Sequence, residues 1–239
     1  MNILITGGAS GLGKAITRLL ATQPGNKIFF TYFKSKENAE KIEKSYSNAQ
    51  AVCVDFSDEE SMTKLKKLII DENIDILINN AIVDHAKNYF HKIEQEYFLQ
   101  SFQKNIHPVL TITSEAIRFF RKKKFGKIIT ILSSALINTP PLGWSEYTAN
   151  KAYLHSMAKS WAVENAVYNI TSNCISPSLM LTDLNSDIDE RYIELAMNAH
   201  PLKRLLSVEE VADSVNYLCN ATQQINGINI VLNSGVDII

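Results

Sequence analysis

Tyr147 and Lys151 stand four residues apart in a stretch of helical periodicity, which places both side chains on one helix face. A free phenol titrates near about 10 and is a poor acid or base at neutral pH. A neighbouring ammonium favours the phenolate, so the pair could give and recover a proton at a reacting oxygen. Tyr–Lys pairs on solvent-facing helices are common, and this one gains chemical meaning only from its surroundings.

A second stretch with chemical content is Thr6-Gly7-Gly8-Ala9-Ser10-Gly11-Leu12-Gly13. The chain has only 9 glycines in 239 residues, and nearly half of them fall in this loop. Average usage is about 7%, so the concentration marks where backbone freedom matters. Residues without Cβ let the main chain approach a pyrophosphate closely. The helix N-terminus that follows supplies N–H donors and a positive dipole end.

These residues need a scaffold, and the hydrophobic pattern describes one. Strand-like runs at Ile3–Ile5, Ile28–Tyr32, Ala51–Val54, Ile74–Ile78, Ile128–Leu132, Ser172–Ile175 and Ile228–Leu232 alternate with helical segments. The helical segments are Lys14–Ala21, Lys36–Ser45, Ser61–Asp71, Glu94–Lys123, Glu146–Val167 and Val208–Asn220. That alternation predicts an α/β fold: a single-domain, Rossmann-type, doubly wound parallel sheet of about seven strands with helices on both faces. No linker or composition shift divides residues 1–239, and residues 178–205 read as a lid within the one domain.

Composition closes several other routes. With 24 basic and 25 acidic side chains, the chain has no electrostatic footprint for nucleic acid or an anionic membrane. No apolar run approaches the ~18 residues of a membrane span, and no leader-like segment precedes the first strand. Cys53, Cys174 and Cys219 are too scattered for metal or disulfide chemistry, and His85, His107 and His155 lack ligand spacing, so no metal is expected. A cytoplasmic protein with reduced thiols is the expectation. The run Arg121-Lys122-Lys123-Lys124 has two readings, a solvated helix C-terminus or a docking patch for an acidic carrier protein.

The glycine spacing, T-G-x-x-x-G-x-G, resembles that of the short-chain dehydrogenase/reductase family, and the rest of the chain follows in order. Asp55-Phe56, Asn79-Asn80-Ala81, Asn105, a serine after the fifth strand, Tyr147-Thr148-Ala149-Asn150-Lys151 and Pro177-Ser178-Leu179-Met180-Leu181-Thr182 resemble its motifs. His200–Arg204 followed by Val208–Ala212 is similar to the 3-oxoacyl-[acyl-carrier-protein] reductase branch. Ile82, Ile137, Ser178 and Ser234 stand where relatives usually keep glycine.

The resemblance implies hydride transfer between a nicotinamide cofactor and a carbonyl or secondary alcohol. Tyr147 would be the proton donor, Lys151 its activator and a cofactor-ribose ligand, and Asn105 the holder of a relay water. Counting back from Tyr147 favours Ser134 slightly as the carbonyl-binding serine, whereas counting along the strand favours Ser133. Cofactor contacts would come from Gly7, Ser10, Gly11, Leu12, Gly13, Tyr32, Lys34, Ser35, Asp55, Phe56, Asn79, Ala81, Tyr147, Lys151, Pro177, Leu179 and Thr182. The second strand ends in Thr31-Tyr32-Phe33-Lys34-Ser35-Lys36 without a carboxylate. An acid there would hold a ribose diol, whereas Lys34 and Ser35 would welcome a 2′-phosphate, so NADP(H) is expected over NAD(H). The implied substrate is a 3-oxoacyl thioester, free or carrier-bound, in a pocket with Ile137, Leu142, Trp144, Leu179, Met180 and Met197. Alternatives are a small polyol, sugar or other alcohol, or a non-catalytic NADP(H) sensor. The implied assembly is a homo-oligomer, a dimer or tetramer.

Overall fold

The computed structural model describes residues 1–83, 87–137, 139–182 and 189–236. Seven strands among them form one parallel sheet: β1 (Asn2–Ile5), β2 (Lys27–Tyr32), β3 (Ala49–Cys53), β4 (Ile76–Asn79), β5 (Gly126–Ile131), β6 (Ile170–Pro177) and β7 (Asn229–Leu232). Ile, Val and Phe fill these strands because the sheet is covered on both faces, where β-branched and aromatic side chains pack well. The spatial order is β3-β2-β1-β4-β5-β6-β7, with Ile3 opposite Ile28 on one side and Ile76 on the other. The order reverses between β1 and β4, which opens a crevice at the carboxyl ends of those two strands.

Two apolar cores lie on the two faces. One is built by α1 (Gly11–Ala21), α2 (Lys36–Ser45) and α8 (Val208–Asn220) around Ile16, Leu20, Ile42, Val211 and Val215. The other is built by α3 (Glu59–Asp71), α5 (His107–Lys123) and α6 (Ser145–Asn165) around Leu65, Ile69, Ile112, Phe120 and Trp161. Alternation along β1 feeds both, with Ile3 and Ile5 on the first face and Leu4 on the second.

Two features depart from the sequence expectation. The segment expected as one helix over Glu94–Lys123 is α4 (Gln95–Ser101), a π-helical turn (Phe102–Ile106) and α5. Apolar periodicity continues through the turn, so the pattern carried no sign of the register change. In the expected lid, α7 (Glu190–Ala199) is a full helix with no buried side chain. Residues 183–188, including Asp183 and Asp187, lie outside the described residues, as does His85.

The basic run 121–124 closes α5 at the amino edge of the sheet, the end opposite the crevice. Arg121 Nε donates to Asn165 Oδ1 at 2.7 Å, and its guanidinium lies 4.7 Å from the Tyr168 ring centroid. Lys123 pairs with Asp75 beside the start of β4, and Lys124 lies over Tyr168. Three of the four cations therefore tie down a helix end, which supports the capping reading over carrier docking. Lys127 acts similarly from β5, where its ammonium donates to the Cys219 carbonyl at 2.7 Å and also to the Ala221 carbonyl at the end of α8.

Candidate active site

The crevice is closed at its base by hydrogen bonds between the loops after β1 and β4. Thr6 Oγ1 accepts from the Asn80 and Ala81 main-chain N–H groups, each at 3.0 Å. Asn80 Nδ2 donates to the Thr6 carbonyl at 2.9 Å, and the Gly7 N–H donates to Thr31 Oγ1 at 2.9 Å. Gly7 has φ +67°, a left-handed conformation that Cβ-bearing residues rarely adopt. At Gly13 a Cβ would sit 2.0 Å from the Gly7 carbonyl oxygen, so α1 can approach the loop only without a side chain there.

From this loop a groove of about 1070 Å³ runs across the ends of β2 and β3. Gly7, Ser10, Tyr32, Lys34, Ser35, Asp55, Phe56 and Ala81 line it. Ser10 and Ser35 precede α1 and α2 without their hydroxyls capping either helix, so both are left for a ligand. A Gly cradle, two helix N-termini and a groove at the upper end of ligand-pocket sizes fit a dinucleotide.

The remaining proposed cofactor residues are placed differently. Leu12 packs its side chain into the α1 core and can offer a ligand only main chain. Asn79 is 3% exposed and donates to Thr113 Oγ1 at 2.9 Å. It holds α5 against β4 rather than lining the groove, and its neighbour Asn80 is the asparagine at the loop. Thr182 comes over the glycine loop, since a Cβ on Gly11 would lie 3.4 Å from its own Cβ. Pro177 ends β6 beside Leu232, and Leu179 follows it, half-buried.

Beside the crevice, on α6, lie the residues capable of proton chemistry. Tyr147 hydrogen-bonds Ser133, and the Trp144 ring meets the Tyr147 ring edge-on with centroids 5.2 Å apart. Ser133 Oγ also accepts the Ala135 N–H, whereas the Ser134 carbonyl accepts the Ile137 N–H and closes a short 3₁₀ turn. The serine brought to Tyr147 is thus Ser133, against the slight preference for Ser134 from counting back.

Lys151 is 8% exposed and donates to the Ile131 carbonyl at 2.8 Å, with its ammonium 5.7 Å from the Tyr147 ring centroid. Burial drives its pKa down to about 8. Burial also raises the Tyr147 phenol above its ordinary value, and the Ser133 hydrogen bond pulls the other way. The expected depression of Tyr147 by Lys151 is therefore not a property of the chain alone. The ammonium is turned to the strand carbonyl and desolvation dominates.

Asn105 sits in the π-helical turn, where its Oδ1 accepts the Val83 N–H at 2.9 Å. Asn105, Tyr147, Lys151, Ala81 and Ile82 share the wall of a small cavity of about 20 Å³. Ala81 and Ile82 also line the groove, so they form the partition between the two. Ile82 thus places a branched four-carbon side chain at this partition.

A family model described as enoyl-(acyl carrier protein) reductase matches residues 7–237. The chain belongs to the short-chain dehydrogenase/reductase family. The 3-oxoacyl-[acyl-carrier-protein] reductase of Aquifex aeolicus is 31% identical over 98% of this chain and 96% of its own length. The 3-ketoacyl-(acyl-carrier-protein) reductase of Brucella melitensis, solved with NADH, superposes with a TM-score of 0.88 at 24% identity, covering 99% of this chain and 98% of that one. An actinorhodin polyketide ketoreductase solved with NADPH also gives 0.88, at 21% identity and with 98% and 96% coverage.

As a short-chain dehydrogenase/reductase, the protein is an oxidoreductase that uses a nicotinamide cofactor. Among the described residues no helix is long and apolar enough to cross a membrane, and no group of His, Cys, Asp and Glu is arranged to hold a metal. Reading the sequence missed Ser101, Glu146 and Asn150, which form a buried polar cluster behind Asn105. Nothing flagged Glu146, because an acid in a helix first turn is ordinarily an exposed partner of the dipole.

Proposed function

We propose that the protein reduces a carbonyl to a secondary alcohol with NADPH, with a 3-oxoacyl thioester as the substrate class. The observation that carries the chemistry is Tyr147 hydrogen-bonded to Ser133, with Lys151 behind it, beside the crevice between β1 and β4. A reduced nicotinamide, when bound, supplies the hydride. Ser133 and Tyr147 hold the substrate oxygen, and the Tyr147 O–H gives its proton to that oxygen as negative charge develops there. Lys151 stabilises the phenolate left behind. Asn105 holds a water in the 20 Å³ cavity, which is large enough for one molecule.

The thioester reading draws support from the Aquifex relative and from the apolar side chains near Tyr147, Trp144 foremost. It draws none from the 121–124 cations, which face the other end of the sheet. Exposed Leu99 on α4, Phe102 in the π-helical turn, and Tyr153 and Val163 on α6 suit packing against a second copy. The substrate test is a rate comparison with NADPH. Acetoacetyl-CoA should be turned over faster than keto-sugars, and the reverse order would replace the thioester by a sugar or polyol.

For the cofactor, Lys34 and the uncommitted hydroxyls of Ser10 and Ser35 support a 2′-phosphate at the N-terminus of α2. Lys34→Glu should weaken NADPH binding by about tenfold or more, the size of one lost charge-assisted contact, while NADH binding stays within about twofold. Fluorescence titration of both cofactors measures this. Tighter NADH than NADPH in the wild type would contradict it.

A further inference from the structure

Ala81 and Ile82, in the loop after β4, border the large groove on one side and the small cavity beside Tyr147 on the other. The groove runs from the glycine loop past Tyr32, Lys34 and Phe56, and none of Asn105, Tyr147 and Lys151 borders it. It therefore has the parts to hold an adenine nucleotide that ends in a pyrophosphate, and it stops short of the place where hydride must arrive. The piece of a dinucleotide that crosses from one to the other is its nicotinamide riboside. Its way lies over Ile82.

Whether a side chain there obstructs depends on whether it can step aside, and the Ile82 main chain is pinned from both sides. Ala81 donates its N–H to Thr6 Oγ1 at 3.0 Å, and Val83 donates its own to Asn105 Oδ1 at 2.9 Å. The loop is also packed against the glycine loop, since a Cβ on Gly7 would lie 3.1 Å from the Ala81 Cα. Branching at Cβ leaves isoleucine few χ1 positions. The cavity behind it, about 20 Å³, has room for one water and not for a four-carbon side chain. Half-buried Ile82 therefore stays at the boundary.

We propose that Ile82 divides the cofactor site into a preformed adenine-nucleotide site and a restricted nicotinamide end. Adenine nucleotides that lack nicotinamide then bind in the groove at least as tightly as the whole cofactor and displace it. This rests on the groove being the cofactor site of a reductase. Ile82 acts as a specificity-determining residue, because its bulk subtracts from the affinity of the nicotinamide half alone.

The cost has two physical sources. A fixed side chain in the path takes up volume, and a tight fit that must be forced is unfavourable. A riboside also carries hydroxyls, which lose water where they meet an aliphatic side chain and gain no hydrogen bond in return. Neither source reaches a ligand that ends at the pyrophosphate. Such a ligand keeps the N–H groups at the start of α1 and, if it carries a 2′-phosphate, Lys34 and Ser35 as well. The ligand class is thus an adenosine 5′-diphosphate bearing a 2′-phosphate.

The test is calorimetric titration of wild type, Ile82→Val, Ile82→Ala and Ile82→Phe with NADPH and with 2′-phosphoadenosine 5′-diphosphate, which ends where the groove ends. Wild type should bind the nicotinamide-free nucleotide no more weakly than NADPH, and that nucleotide should displace bound NADPH. Ile82→Ala should tighten NADPH by about tenfold and Ile82→Val by a smaller factor, whereas Ile82→Phe should weaken it by about tenfold. The nicotinamide-free nucleotide should stay within about twofold in all four proteins. NADPH bound no tighter by either smaller variant would make Ile82 a supporting surface for the ring and overturn the division. Parallel shifts of the two ligands, or a wild type that clearly prefers NADPH, would overturn it as well. If NADH binds better than NADPH, the same comparison is made with NADH and adenosine 5′-diphosphate, and only the 2′-phosphate is lost. The Ile82 pattern in a protein that oxidises no NADPH would keep the divided site and remove the reductase reading on which it was built.

Discussion

Tyr147→Phe is expected to lower kcat for ketone reduction by roughly a thousandfold while leaving NADPH affinity within about twofold. The size follows from removing a general acid, which is worth about 10²–10⁴ in rate. The substitution removes a single oxygen, so the ring keeps its edge-on contact with Trp144 and the α6 turn keeps its packing. Binding should be spared because the large groove lies across the Ala81–Ile82 partition from the phenol. Burial raises the Tyr147 pKa, so the phenol stays protonated well past neutrality and is poised as an acid in the reducing direction. Pre-steady-state NADPH absorbance together with a fluorescence titration separates the rate from the binding. Retained turnover would remove Tyr147 from the chemistry.

Gly13→Ala should be nearly as damaging by a different route. Its Cβ would meet the Gly7 carbonyl oxygen at 2.0 Å and Asn80 Nδ2 at 2.6 Å. Neither can step aside cheaply, because the Asn80 amide also holds the Thr6 carbonyl and so joins the loops after β1 and β4. The loop must move, and NADPH affinity should fall by about a hundredfold or more, equivalent to about 2.7 kcal/mol. Overpacking should also lower folding stability by about 1–3 kcal/mol. Gly25→Ala is the control. That glycine has φ +79° but nothing within 4 Å of an added Cβ, so the change should carry only backbone strain and leave NADPH affinity unchanged. Equal losses in the two variants would show that the clash at the crevice is not what matters.

The two stretches that were legible in the chain alone were legible for physical reasons. The glycine loop advertises itself because backbone approach to a ligand demands missing side chains. The Tyr147–Lys151 spacing advertises itself because helix geometry is fixed. Strand positions followed from runs such as Ile28–Tyr32, which must be apolar on both faces of a parallel sheet. What stayed hidden depended on local register. Ser133 and Ser134 could not be separated because neighbouring residues at a strand end differ only in which way each side chain faces, and it is Ser133 that meets the tyrosine. The π-helical turn at Phe102–Ile106 follows no compositional rule, yet it carries Asn105 to the cavity wall. Glu146 carries no signal in the sequence, and only its 2% exposure distinguishes it. The 121–124 cations could not be assigned from the sequence, because charge in a sequence says nothing about which end of the sheet it occupies or what it touches.

The most direct test of the account is NADPH consumption by the purified wild-type protein offered acetoacetyl-CoA, a quinone, a keto-sugar and a diketone, with product quantified alongside. The account predicts that NADPH disappears one-for-one with formation of the secondary alcohol, fastest with the thioester, and that the Tyr147→Phe enzyme shows neither change. Tight NADPH binding with no oxidation by any of the four would contradict it and leave a cofactor-sensing protein in its place.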